Sequence, residues 1–134
     1  MGKGELKRIL YVEDEPDIRA VAQIALETVG GFVTKICSSG AEALDAAASF
    51  APDLILLDVM MPGMDGPSTL LALRKLPELD ATPVAFMTAK VQPNEVTEYK
   101  RLGTIGVIAK PFDPMTLADA VRALWMQHHG GTSN

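Results

Sequence analysis

The stretch LILLDVMMPGMDG, residues 54–66, decides the fold that this sequence predicts. Four consecutive aliphatic residues lead into the carboxylate of Asp58, and a turn of Met, Pro and Gly follows at once. An unbroken apolar run is typical of a parallel strand that is covered on both faces. A carboxylate at the end of such a strand is costly unless it is paired or bound to a metal. The stretch therefore predicts a buried strand that carries Asp58 to a functional site.

Short apolar runs of this kind recur along the chain and are separated by longer segments of helical period. This alternation is typical of βαβ units on a parallel sheet, so it predicts an α/β fold. We predict five strands, at residues 8–13, 32–37, 54–58, 84–88 and 106–109. A helix is expected after each strand, and the spacing of Ser39 and Glu42 predicts a capping box before the second helix. The first helix is expected to turn a stripe of apolar residues inward: Ile18, Val21, Ala22, Ala25 and Val29.

Length and composition favour one domain in a reducing cytoplasm. The chain of 134 residues fits a single domain, with a core at about residues 8–127 and a flexible tail at 128–134. Its 12 basic and 17 acidic residues give a net charge of -5, which argues against nucleic acid or an anionic membrane as a direct partner. Cys37 is the only cysteine, so an intrachain disulfide is excluded and a place in the core of the second strand is expected. No apolar run is long enough for a signal peptide or a membrane span.

Polar side chains follow the predicted strands at their carboxyl ends. The first strand runs into Glu13 and Asp14, the third ends in Asp58, the fourth ends in Thr88 and the fifth leads into Lys110. In open α/β sheets the working crevice lies outside these ends. If the strands concerned are neighbours, three carboxylates, a hydroxyl and an ammonium converge on one edge of the sheet.

The chemistry of this residue set indicates a site that handles phosphoryl groups. Crowded carboxylates raise one another's pKa unless a cation lies among them, and oxygen ligands around a phosphoryl group favour Mg²⁺. A lysine can supply positive charge to a phosphoryl oxygen, and a threonine hydroxyl can donate a hydrogen bond to another. Asp58 is the expected nucleophile, because a carboxylate can form an acyl phosphate when nearby positive charge stabilises the transition state.

Four motifs, in their order and spacing along the chain, resemble those of the receiver domain of two-component response regulators, in particular chemotaxis regulators. They are YVEDEPD at residues 11–17, LILLDVMMPGMDG at 54–66, FMTAK at 86–90 and IAKPFDP at 108–114. The resemblance spans about residues 8–127. It implies a flavodoxin-like, doubly wound five-stranded parallel sheet with strand order 2-1-3-4-5 and five flanking helices.

The resemblance also implies a role for each matching residue. Asp14 and Asp58 would bind Mg²⁺ directly, together with the backbone carbonyl of Met60, and Glu13 would act through a metal-bound water. Thr88 and Lys110 would take the hydroxyl and ammonium roles. Pro111 occupies a place where the family commonly has a cis peptide after the lysine.

The implied function is that of a phosphorylated signalling domain rather than an enzyme with a separate substrate. Asp58 would take a phosphoryl group from the phosphohistidine of a sensor histidine kinase or a histidine phosphotransfer protein. The domain would assist its own phosphorylation and autodephosphorylation, and would act as a monomer or a weak phosphorylation-dependent dimer. The downstream target stays open, as does the choice between a stand-alone regulator, which the short polar tail favours, and a fragment of a larger regulator or hybrid kinase.

Two features depart from the family pattern or modify it. Val107 stands where receivers usually have a Tyr or Phe, so we expect the face made by the fourth helix, fifth strand and fifth helix to signal without an aromatic rotamer switch. Met60, Ala89 and Lys90 are expected at the mouth of the site and to set the lifetime of the phosphoryl group. A bulky Met60 would hinder the attacking water, whereas Lys90 could attract phosphodonors or shield the acyl phosphate.

Other functions fit the sequence less well. A phosphohydrolase of the haloacid-dehalogenase type needs a general acid two residues after the nucleophile, and Met60 stands there. A flavodoxin-like FMN binder needs a phosphate loop after the first strand, but EDEPD at residues 13–17 would repel a phosphate. A degenerate receiver that only binds partners is opposed by the intact set of acidic, hydroxyl and ammonium residues.

Overall fold

The computed structural model describes residues 5–130, and in this range five parallel strands form one sheet. The strands are β1 (Arg8–Val12), β2 (Val33–Cys37), β3 (Leu54–Asp58), β4 (Val84–Thr88) and β5 (Gly106–Ala109). The helices are α1 (Pro16–Gln23), α2 (Gly40–Phe50), α3 (Gly66–Arg74), α4 (Pro93–Arg101) and α5 (Leu117–Gly130). A π-helical segment, Ile24–Val29, continues α1, and a short 3₁₀ turn, Pro77–Leu79, precedes β4. No helix in the described range is long and apolar enough to cross a membrane.

The order of the strands in the sheet is β2-β1-β3-β4-β5, which confirms the predicted doubly wound topology. β1 lies between β2 and β3, and Val12 pairs with Leu57 in register. The next residue on each strand therefore carries Glu13 and Asp58 to the same edge. β4 pairs with β5 through Thr88 and Ala109, so Lys110 begins at that edge as well.

The core consists of two layers, one on each face of the sheet. Alternate strand residues such as Ile9 and Tyr11 pack against α1 and α5, whereas Leu10 and Val12 pack against α2 and α3. β3 and β4 are buried along their whole length. This burial explains their unbroken apolar runs, because each face of these central strands meets a helix layer.

The predicted inward stripe of the first helix is only partly right. Ala22 and Ala25 are fully buried, but Val21 is 41% exposed and Val29 is 42% exposed, and Leu26 is buried in their place. Val21 precedes the π-helical segment and lies at the edge of the α-helical stripe, next to the buried Ala22. For Val29 the cause is the π-helical segment, in which the amide of Gly30 donates to the carbonyl of Ala25 at 3.0 Å. A wider turn changes the angle between successive side chains, so a stripe drawn with the α-helical period loses register there.

The predicted capping box before α2 forms in one half. Ser39 accepts a hydrogen bond from the amide of Glu42 at 3.1 Å, as expected. The carboxylate of Glu42 instead accepts from the amide and the hydroxyl of Ser38, at 2.7 and 2.8 Å. The helix start is therefore held by two adjacent serines.

The last helix extends beyond the predicted limit of the core at Gln127. α5 continues to Gly130, where the predicted flexible tail would already have begun at His128. Nδ1 of His129 lies 3.0 Å from the carbonyl oxygen of Trp125, and the two rings are 3.9 Å apart. Residues 128–130 therefore belong to the helix, whereas the rest of the predicted tail, 131–134, lies outside the described residues.

Candidate functional site

Three carboxylates meet at the carboxyl edge of the sheet. Glu13 and Asp14 follow β1, and Asp58 ends β3 beside them. One ligand oxygen from each of the three lies within 4.8 Å of the others. The fold thus brings together residues that are separated by more than forty positions in the sequence.

Lys110 reaches into this cluster from the end of β5. Its Nζ lies 2.9 Å from Oε1 of Glu13 and 3.2 Å from Oδ1 of Asp58. The Lys110–Pro111 peptide bond is cis, as the family resemblance implies. A single ammonium therefore bridges two carboxylates and offsets part of their negative charge.

Glu13 differs from the other two acids in its surroundings. It is fully buried, and both of its carboxylate oxygens accept hydrogen bonds from protein donors. Oε1 accepts from Lys110 and from the hydroxyl of Tyr11 at 3.5 Å, and Oε2 accepts from the amide of Glu15 at 3.2 Å. Asp14 is half-buried. Glu13 thus holds Lys110 in place, while Asp14 is the most exposed of the three acids.

Sequence reasoning missed Tyr11. The residue is fully buried beneath Glu13, in the layer between the sheet and α1. Burial and then the negative charge of Glu13 hold the pKa of the Tyr11 hydroxyl well above its ordinary value. The hydroxyl therefore stays protonated and donates to Glu13. The available signal was its position two residues before Glu13, which places both side chains on one side of the strand.

The electrostatics of the cluster favour a cation. Burial, followed by the negative charge of Glu13, raises the pKa of Asp58 from 3.8 to about 6, although Lys110 opposes the shift. Burial lowers the pKa of Lys110, but its hydrogen bond to Glu13 and the charge of Asp58 outweigh this effect, and the pKa is raised overall. One ammonium does not compensate three carboxylates. Converging oxygen donors with surplus negative charge suit a hard divalent ion such as Mg²⁺.

Thr88 and the residues predicted at the mouth of the site border the same cavity. The cavity has a volume of about 260 Å³ and adjoins Asp58 and Lys110. Thr88 is buried at the end of β4, and its Oγ accepts from the amide of Lys90 at 3.0 Å. The wall of the cavity also includes the residues predicted at the mouth of the site: Met60, Ala89 and Lys90. Met60 is 73% exposed, so its side chain stands at the opening.

A larger depression, of about 360 Å³, lies near the opposite edge of the sheet. It is lined in part by Asp53, Asp80 and Trp125. Among the described residues, the three-carboxylate arrangement occurs at the carboxyl edge and involves none of these. The smaller cavity is therefore the candidate site, because chemistry and not size distinguishes the two.

The region around Val107 contains an aromatic pair from other elements. Val107 is half-buried and pairs in register with Phe86 of β4. The ring of Phe86 meets the ring of Tyr99 on α4 edge to face, with centroids 5.2 Å apart. Sequence reasoning missed this contact, which supplies aromatic packing near the position where the family has its own ring.

Comparison with known proteins identifies the family. The family model described as the response regulator receiver domain matches residues 9–122. The chain therefore belongs to the receiver domain family of response regulators in two-component systems. This membership confirms the resemblance that the four motifs carry, and it removes support for the haloacid-dehalogenase alternative.

The relatives show how far the likeness extends. The transcriptional regulatory protein YkoG of Bacillus subtilis, described as uncharacterized, is 42% identical over 126 residues, which cover 92% of this chain and 53% of YkoG. The DNA-binding response regulator MtrA of Mycolicibacterium smegmatis is 36% identical, with coverage of 87% of this chain and 50% of MtrA. The chain spans about half the length of these curated relatives. The chemotaxis protein CheY4 of Vibrio cholerae has a solved structure with a TM-score of 0.81 and 30% identity, covering 90% of this chain and 99% of CheY4.

Proposed function

We propose that Asp58 accepts a phosphoryl group from a phosphohistidine and that the domain signals through the resulting acyl phosphate. The donor would be a sensor histidine kinase or a histidine phosphotransfer protein. The observation that carries this proposal is the ammonium of Lys110, held between Glu13 and Asp58 at 2.9 and 3.2 Å beside a cluster of three carboxylates. Membership of the receiver family supports the same function.

The transfer replaces one bond of phosphorus by another. An oxygen of Asp58 forms a P–O bond while the P–N bond to the donor imidazole breaks, and the imidazole nitrogen keeps the electron pair and takes up a proton. The pKa of Asp58, at about 6, leaves its carboxylate mostly ionised and nucleophilic at neutral pH. Lys110 is placed to stabilise negative charge on the phosphoryl oxygens, and Thr88 can donate from its hydroxyl.

Asp14, Asp58 and the backbone carbonyl of Met60 are the groups that would hold Mg²⁺, with Glu13 acting through water. A bound Mg²⁺ would neutralise charge on the phosphoryl group and on the carboxylates. Glu13 fits an indirect role, because its oxygens already accept from Lys110, Tyr11 and Glu15.

The output surface is the face made by α4, β5 and α5. Val107 has no ring to rotate, so the change on phosphorylation would pass through Thr88 and the backbone to this face. Amide hydrogen exchange with and without a phosphoryl mimic tests this part, and protection that stays unchanged on α4, β5 and α5 would reject it. MtrA is described as a DNA-binding response regulator, and direct contact of this chain with nucleic acid is not part of the proposal.

The central test is phosphorylation with a small-molecule phosphodonor and Mg²⁺, followed by intact-mass analysis. The wild type should gain one phosphoryl group that hydroxylamine removes, and Asp58→Asn should gain none. Asp45→Asn is the matched control, because Asp45 is an exposed aspartate on α2 away from the site, and it should behave like the wild type.

Two results would redirect the assignment. Modification of Asp58→Asn at the wild-type level would place the acceptor elsewhere. A wild type that binds Mg²⁺ and never becomes phosphorylated, even with several histidine phosphodonors, would favour a degenerate receiver that only binds partners.

A further inference from the structure

The loop between β1 and α1 carries two of the three carboxylates of the site and has few ties of its own. The amide of Glu13 donates to the carbonyl of Cys37 at 3.0 Å, which fixes the start of the loop. α1 begins without a side-chain cap, because its N-cap residue, Glu15, makes no such hydrogen bond. The amide of Glu15 donates to Oε2 of Glu13 at 3.2 Å, so the groups that still need a partner are the carbonyl oxygens of Glu13 and Asp14.

Arg19 provides that contact from the second turn of α1. Its Nη1 donates to the carbonyl oxygen of Glu13 at 3.0 Å and to the carbonyl oxygen of Asp14 at 3.0 Å. The amide of Arg19 also donates to the carbonyl of Glu15 at 2.9 Å. One half-buried residue thus contacts all three residues of the loop.

The contact matters because the loop bears repelling charges. The carboxylates of Glu13, Asp14 and Asp58 lie within 4.8 Å of one another, and mutual repulsion favours any backbone rotation that separates them. A guanidinium that binds two successive carbonyls opposes such rotation, since both peptide planes must keep their orientation to retain the bonds.

We infer that Arg19 is a positioning residue for the divalent cation of the site. It acts through the backbone of Glu13 and Asp14 and does not touch the ion or the phosphoryl group. This inference rests on the proposed function, because that function supplies the need for Mg²⁺. Residues that orient metal ligands in this indirect way commonly change metal affinity by about tenfold or more when they are replaced.

The chain offers a matched control for the same kind of contact. Nη1 of Arg74 donates to the carbonyl oxygens of Leu79 and Thr82, at 2.8 and 2.7 Å. Arg74 is the last residue of α3, and its two acceptors lie between the end of the 3₁₀ turn and the start of β4. Arg74→Gln removes an equivalent pair of bonds far from the carboxylate cluster.

The test measures Mg²⁺ affinity by titration calorimetry without any phosphodonor, on the wild type and on Arg19→Gln, Arg19→Met, Arg19→Lys and Arg74→Gln. Arg19→Gln and Arg19→Met should bind Mg²⁺ about tenfold more weakly, and Arg19→Lys should be intermediate. Arg74→Gln should keep the wild-type affinity even where its melting temperature falls. Two uncharged variants are included so that the one that folds better decides the result.

A second measurement separates positioning from catalysis. The rate of Asp58 phosphorylation should need more Mg²⁺ in Arg19→Gln, yet should approach the wild-type value at saturating Mg²⁺. An affinity within about twofold of wild type in the folded uncharged variants overturns the inference, as does an equal loss in Arg74→Gln. A wild type that binds no Mg²⁺ also overturns it, whereas a wild type that binds Mg²⁺ without becoming phosphorylated rejects only the proposed function.

Discussion

Two aspartates, Asp53 and Asp58, lie at opposite ends of β3 and have opposite surroundings. Asp53 precedes β3, and its Oδ2 accepts from the amides of Lys7 and Arg8 at 3.0 and 2.8 Å. Asp58 ends β3, is 4% exposed, and faces two other carboxylates and one ammonium. Asp53 is bound to backbone donors and so stabilises the join between β1 and β3. Asp58 meets two carboxylates and a single ammonium, and this surplus of negative charge favours the binding of a further cation.

The difference shows how one residue type serves two purposes at the two ends of a strand. Amides that point at a carboxylate satisfy it and leave little capacity for a ligand. Carboxylates that lie next to another carboxylate destabilise its ionised form, and protonation or a bound cation removes the repulsion. Functional acids in this fold are therefore recognised by the groups around them.

The largest expected effect concerns Lys110. Lys110→Met removes the positive charge nearest to the acceptor and should lower the rate of Asp58 phosphorylation by about 10²- to 10³-fold at saturating Mg²⁺. The rate is measured by intact mass over time, after circular dichroism has shown that the variant is folded. Lys75→Met, an exposed lysine just after α3, is the control and should leave the rate unchanged. A folded Lys110→Met protein with the wild-type rate would remove the ammonium from the mechanism.

The next effect tests the structural aspartate. Asp53→Ala leaves the amides of Lys7 and Arg8 without their acceptor, so it should lower the free energy of unfolding by about 2 kcal/mol. Phosphorylation of Asp58 should continue at the wild-type rate. Urea denaturation and the phosphorylation assay check the two halves, with Asp45→Ala as a control on α2. If Asp53→Ala is as stable as the wild type, the two aspartates do not differ in the way described.

Replacement of Asp58 in the absence of metal is expected to raise the free energy of unfolding, by less than Asp53→Ala lowers it. Its folded-state pKa of about 6 lies above the ordinary 3.8, so the ionised group destabilises the fold above about pH 6 and this penalty disappears as the pH falls toward 3.8. Asp58→Asn should therefore be more stable than the wild type by roughly 1–2 kcal/mol near pH 8. The difference should shrink as the pH is lowered through the same window.

Urea denaturation in the presence of a chelator, repeated across that pH range, measures this difference. Addition of Mg²⁺ near pH 8 should stabilise the wild type and leave Asp58→Asn much less affected. A difference that is constant with pH would mean that Asp58 is not the group whose charge is unfavourable.

The smallest effect concerns the opening of the site. Met60 is 73% exposed at the cavity that contains Asp58, and its side chain is expected to hinder the attacking water. Met60→Asn should speed the loss of the phosphoryl group by about threefold, equivalent to less than about 1 kcal/mol. Met126→Asn, at a methionine that is 68% exposed on α5, is the control. The decay of the phosphorylated species is followed by intact mass. A slower decay in Met60→Asn than in the wild type would contradict the expectation.

Much of the fold could be predicted because the signals are local. The predicted ranges for β3, β4 and β5 agree with the structure, and β1 and β2 differ by one terminal residue each. Apolar runs and the turn residues that bound them depend on neighbours in sequence, so they are visible in the sequence alone. The π-helical segment after α1 has no such signal, which is why the predicted stripe placed Val29 inward.

The sequence predicted which residues form the candidate site, but not the hydrogen bonds that hold them in place. The acidic residues, Thr88 and Lys110 were found because each ends or directly follows a predicted strand. Tyr11 and Arg19 were missed, because a tyrosine in an apolar strand and an arginine on a helix carry no local mark of a hydrogen bond. The family comparison shows the class of domain, and the roles of the individual site residues are predictions that the variants above test.

The sequence by itself determined which segments are buried strands and which chemical groups stand at their ends, since hydrophobic periodicity and turn chemistry act over a few residues. Only the tertiary structure decided that Lys110 bridges Glu13 and Asp58, that Glu13 is fully buried, and that Arg19 binds the loop between β1 and α1. Those contacts join residues brought together by sheet register and helix packing. Their distances, and with them the raised pKa of Asp58, exist only once the two core layers have formed.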